Sequence, residues 1–196
     1  MRNMKERSSS PRSSSGTPDS GEHASPKPAK LKMTVQYAIS TRESLPPRAL
    51  LCKWVKAALV HDAEIALRIV DEAEGRRLNR DFRNKDYATN VLTFVYDDVH
   101  ADPDVPPGEK QAAHPLAGDI VLCAPVVEKE AGQQQKDLIA HYAHLTVHAI
   151  LHLQGYDHQE ETEAEEMEKM ETRILARLGY EDPYAGYQLA KAVDCG

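Results

Sequence analysis

The chain has 196 residues, with 24 Lys and Arg against 31 Asp and Glu for a net charge of −7. That length suffices for one domain with a real core, and the acidity excludes a protein that coats nucleic acid over its whole surface while leaving room for a local basic groove. Cys52, Cys123 and Cys195 stand far apart with no CxxC pair, which points to a reducing compartment and away from a disulfide framework or a cysteine metal site. No apolar run approaches the ~20 residues that span a bilayer, and no signal-peptide hydrophobic stretch follows the start. The expectation is a cytoplasmic protein with no membrane partner.

Residues 1–32 are rich in Ser, Pro, Lys and Arg and almost free of large apolar side chains. Such a segment buries too little surface to offset its ordering entropy and is expected to be a disordered extension. Residues 33–190 are expected to form a single domain. It opens with TVQYAIS (34–40), which alternates apolar and polar residues as a half-buried strand does. Pro46 and Pro47 lead into a helix over about 47–60, with Leu50, Leu51, Trp54, Val55 and Leu59 on one face. EIALRIVD (64–71) reads as a strand, DEAEGRRLNRDFR (71–83) as a helix opened by acids that suit its dipole, and NVLTFVYD (90–97) as a β-branched and aromatic strand. Residues 98–117 carry four prolines and are expected to be a loop, and GDIVLC (118–123) a short fourth strand. Helices are expected at about 124–134, 137–154 and 160–178, the last starting with a glutamate run that reads as a solvated face. Strands early and helices late predict an α+β fold, a small four-stranded mixed sheet with helices packed on it.

The chemistry concentrates in HAILHLQGYDH (148–158). His148 and His152 are four apart and stand one turn above each other on a helix. Gly155 accepts the left-handed conformation that ends a helix sharply, and the turn returns His158 toward the other two. Three imidazoles from two directions suit Zn²⁺ at about 2.0–2.1 Å each, with a fourth tetrahedral position open. The spacing HxxxHxxGxxH also belongs to zinc peptidases, in which a glutamate after the first histidine is the general base. Here that position is Ala149, so a peptidase reading keeps its metal and loses its base. Asp157 stands beside the third ligand and reads as its partner or as a base. His144 lies a turn upstream, roughly 12 Å along the axis from His152, so it cannot share one metal with it and reads as structural or supporting.

The most basic part of the globular region is RRLNRDFRNKDYATNVLTF (76–94), with Arg76, Arg77, Arg80, Arg83 and Lys85 against Asp81 and Asp86. Arginine forks pair bidentately with phosphate oxygens, so this stretch reads either as a phosphate contact or as a solvated helix face.

HAILHLQGYDH, the upstream RNKDYATNVLTF, the GDIVLC strand and the closing GYEDPY, in this order, resemble the YbeY family of ribosomal-RNA-maturation endoribonucleases over about residues 64–184. The family usually has glycine after the first histidine and serine before the phenylalanine; here Ala149 and Thr93 stand there. The N-terminal extension and the 98–117 loop fall outside the shared pattern. The resemblance implies a zinc-dependent, single-strand-preferring endoribonuclease of small-subunit ribosomal RNA maturation and ribosome quality control, with one Zn²⁺ per chain and Arg83 functionally required. Two alternatives stand beside it: a zinc hydrolase of another class, and a ribosome-assembly binding protein whose zinc is structural. A structural zinc would need a fourth ligand, with Cys123 or a distant carboxylate folding in.

Overall fold

A computed structural model describes residues 29–96, 115–156 and 160–185. Four strands and five helices lie within them: β1 (Leu31–Ala38), α1 (Arg48–Ala58), β2 (Ala63–Val70), α2 (Glu72–Arg83), β3 (Val91–Val95), β4 (Leu116–Cys123), α3 (Ala124–Gln133), α4 (Leu138–Leu153) and α5 (Glu161–Leu178). The sheet runs β1-β2-β4-β3, with β1, β2 and β4 parallel and β3 antiparallel on the edge beside β4. The fold is therefore α+β with a four-stranded mixed sheet, as the order of elements predicts. Two of the boundaries that differ from expectation are set by strand pairing. Leu31 and Lys32 pair with Ala63 and Glu64, so β1 takes in two residues assigned to the extension, because a neighbouring strand satisfies their backbone. Leu116 and Ala117 likewise pair with Ala63 and Glu64 from the other side and belong to β4 rather than to the loop. Residues 1–28 and 97–114, which carry most of the expected extension and loop, lie outside the described residues.

The sheet separates two apolar clusters. On one side Ile65, Leu67 and Ile69 of β2 with Ile120 and Leu122 of β4 meet Leu51, Trp54 and Val55 of α1, the apolar face of α4, and Met167, Ile174 and Leu175 of α5. On the other side Val70, Leu92, Val121 and Cys123 pack with Leu78 of α2. β4 is buried on both faces, which is why GDIVLC reads as a continuous apolar run. Trp54 is fully buried, stacks edge-on against Tyr180 at 6.1 Å and donates its indole N–H to the Tyr180 hydroxyl at 3.1 Å. Truncating a side chain of that size costs about 3–5 kcal/mol.

α4 is the element that positions the site. It touches α1, α3, α5, β3 and β4, and its buried residues run around most of its circumference, as an interior helix requires. The Asp137 carboxylate opens it by accepting from the Ala140 N–H at 2.8 Å. Gly155, at φ +88°, closes it: Gly155 N–H donates to the His152 carbonyl and Tyr156 N–H to the Leu151 carbonyl, at 3.0 and 3.1 Å. This paired bonding needs the left-handed residue, and Gly179 at φ +90° ends α5 in the same way. Among the described residues no helix is long and apolar enough to cross a membrane.

Candidate metal centre and basic cleft

His148 and His152 project from one face of α4, with ring centroids 4.5 Å apart and planes at 86°. Each ring is fixed from behind. His148 Nδ1 lies 2.7 Å from Glu171 Oε1, and His152 Nδ1 lies 2.9 Å from the Tyr156 carbonyl. A carboxylate and a carbonyl accept only, so both Nδ1 atoms are donors, and in the neutral rings both Nε2 atoms present lone pairs. Those Nε2 atoms face each other at 3.1 Å. Two nitrogens at about 2.0–2.1 Å from one tetrahedral ion stand about 3.3 Å apart, so the pair fits two ligands of a divalent cation. A carboxylate or carbonyl behind each metal-binding imidazole is the usual way to fix its tautomer and raise its basicity. The third expected ligand, His158, and its neighbour Asp157 lie outside the described residues.

Glu171 is fully buried and is the carboxylate that sequence reading missed. The 160–171 stretch reads as a solvated acidic face, and most of its described side chains are exposed. Yet Glu171 falls four residues after Met167 and three and four before Ile174 and Leu175, all buried, so the helical period places it on the apolar stripe. That period was the available signal. Besides His148 it takes His144 Nε2 at 3.1 Å and the Tyr184 hydroxyl. Burial would raise its carboxyl, but the hydrogen bonds it accepts from His144 and His148 outweigh that and hold it at about 2. The GYEDPY segment thereby acquires a structural role. Asp182 accepts from the Tyr184 N–H at 2.9 Å and from Thr172 at 3.2 Å, and so seats Tyr184 over the carboxylate. His144 stands behind the imidazole pair, bound to Glu171 and Tyr184, and does not line the cleft in front of it.

That cleft, of about 640 Å³, is lined by Asn79, Arg83, Lys85, Tyr87, Thr89, Val91, Leu92, Thr93, His148 and His152. The edge strand β3 and the C-terminal end of α2 thus bring Arg83 into one space with the two histidines. Arg83 donates to the Thr93 carbonyl at 3.2 Å. The other arginines of the basic stretch are tied elsewhere: Arg76 bidentately to Asp86 at 2.8 and 2.7 Å, Arg77 to Glu74 at 3.7 Å, and Arg80 to Asp81 at 3.2 Å. Among the described residues neither Arg83 nor Lys85 has a carboxylate within ion-pair distance, and no carboxylate lines the cleft. Cys123, the thiol that could have closed a structural site, packs on the α2 side, its Sγ 3.5 Å from the Asp71 carbonyl. Ala149 is wholly buried in the main core cluster, on a different face of α4 from the imidazoles.

Fold and site together define an α+β protein with a paired-imidazole centre opening onto a basic cleft that no carboxylate lines among the described residues. The family described as endoribonuclease YbeY matches residues 37–179, beginning within β1. A Nitrosospira multiformis protein called endoribonuclease YbeY is 80% identical over 193 residues, which is 98% of this chain and all of that one. A protein of the same name from Aromatoleum aromaticum is 56% identical, covering 80% of this chain and 94% of its own. A solution structure of a Thermotoga maritima protein is 25% identical over 80% of this chain and 93% of that one, with a TM-score of 0.48. The chain belongs to the endoribonuclease YbeY family.

Proposed function

We propose that this protein is a zinc-dependent endoribonuclease that cuts single-stranded RNA, acting in the cytoplasm on ribosomal RNA of the small subunit, in its maturation and in ribosome quality control. The observation that carries the reading is the cleft itself. In a chain of net charge −7, two cations without acidic partners among the described residues face an imidazole pair across a space that no described carboxylate enters. A polyanion is the ligand such a space suits. Family membership and the name that the relatives carry support RNA as that polyanion.

His148, His152 and His158 would hold one Zn²⁺, which when bound supplies Lewis-acid polarisation of a phosphoryl oxygen. Glu171 and the Tyr156 carbonyl keep the imidazoles turned toward the cleft. Arg83 would hold a phosphate oxygen and stabilise the charge that develops on it, with Lys85 adding a second cation. Comparing a labelled single strand with the same strand annealed to its complement tests the proposal. Cutting of the single strand alone is expected, and digestion of neither strand by zinc-loaded protein would contradict it.

A further inference from the structure

Tyr87 lines the cleft beside Arg83, Lys85 and the histidine pair, yet its side chain is 54% exposed. An exposed tyrosine alone needs no explanation; what distinguishes this one is how firmly its backbone is held. The buried Asn79 side chain donates to the Tyr87 carbonyl at 2.7 Å, and the Asn79 carbonyl accepts from the Lys85 N–H at 3.3 Å. Asp86, the residue before it, is locked to Arg76 by two bonds. The turn is pinned on both sides while the ring it carries stays uncovered. Nearby exposed rings are already engaged: Phe82 leans edge-on against Phe94 at 5.0 Å, and the Tyr96 hydroxyl bonds Asp119. Among the described residues Tyr87 has neither a ring partner nor a hydroxyl partner.

We infer that Tyr87 is a stacking platform for one unpaired base of the RNA strand whose phosphate Arg83 holds, an inference that rests on the ribonuclease reading. Every base offers a π-face, so stacking tolerates any sequence, and phosphate contacts from Arg83 and Lys85 carry no sequence information either. A base in a duplex is already stacked and paired and cannot turn its face to a ring at a cleft wall. Tyr87 thereby gives the single-strand preference a residue, and a ring carried on an already fixed backbone has less freedom to lose on binding.

The test is equilibrium binding of a fluorescent 12-nucleotide single strand to zinc-loaded full-length protein, with a matched strand whose bases are replaced by abasic sites. Tyr87→Ala should weaken binding of the normal strand about tenfold, Tyr87→Phe should restore most of it, and both variants should bind the abasic strand as wild type does. Unchanged binding of the normal strand by Tyr87→Ala overturns the inference. So does an equal loss on both strands, which would mean that the residue shapes the cleft without touching a base. Wild-type protein that neither binds nor cuts the normal strand overturns the ribonuclease reading itself, and shows this before any variant is compared.

Discussion

The Glu171 carboxylate and the His148 imidazole stand 2.7 Å apart, joining a fully buried acid on α5 to the solvent-facing stripe of α4. The carboxylate also accepts from His144 and Tyr184, so one fully buried acid holds three donors. Glu171→Gln keeps the shape but loses the charge, and its amide must present a donor to at least one of those groups. Zinc affinity, measured by competition with a chromophoric chelator, is expected to fall about 10- to 100-fold. Undiminished affinity would mean that the carboxylate serves packing and does not orient the ligand.

Arg83 carries the second expectation. It is exposed and its one bond among the described residues is to the Thr93 carbonyl, so Arg83→Glu should leave melting temperature and metal content near wild type. Cleavage of single-stranded RNA should fall about 10²-fold, the scale of losing one charge-stabilising donor. The slope of log affinity against log salt should flatten by about one, because a phosphate contact and its released counterion disappear. An unaltered slope would return this arginine to the solvated helix face.

Ala149 has a different consequence from the one its sequence position suggests. By spacing it occupies the place of a peptidase's general base, yet its side chain is wholly buried in the core cluster. Ala149→Glu would force an unpaired carboxylate into that cluster at a cost of several kcal/mol. The variant should unfold well below the wild-type temperature or fail to accumulate as folded protein, and it should not become a peptidase. A wild-type melting curve for it would show that the helix face is assigned wrongly.

Burial pushes the Cys123 thiol up to about 11. A thiol raised this far stays protonated through the physiological range and forms thiolate only as pH approaches that value. Native protein treated with iodoacetamide at pH 8 should therefore show no modification at Cys123 by peptide mass spectrometry, and full modification after denaturation. Rapid native labelling would mean that the contact between α2 and β4 opens.

Much of this arrangement was legible in the residues because local rules and tertiary packing agree there. Asp137 and Gly155 mark the ends of α4, and the alternation in β1 and β2 and the unbroken apolar run of β4 each follow from how many faces they bury. The legible part stops where partners are distant in sequence. Glu171 lies 23 residues from His148 and looks like one acid in a run; only burial sets it apart. The basic stretch reads as five equivalent cations until Asp86, Glu74 and Asp81 take three of them, leaving Arg83 and Lys85 facing the histidines. Leu31, Lys32, Leu116 and Ala117 are strand because β2 lies between them, which no local pattern records.

The central claim is that His148 and His152 hold a zinc ion on which RNA cutting depends. Its most direct test is cleavage of a defined single-stranded RNA by purified protein, before and after removal of metal with a chelator and again after one equivalent of Zn²⁺ is returned. The account predicts that cutting is lost on chelation and restored by zinc in wild type, while His152→Ala neither retains zinc nor recovers cutting. Cutting that persists in fully metal-free protein, or in His152→Ala, would contradict it.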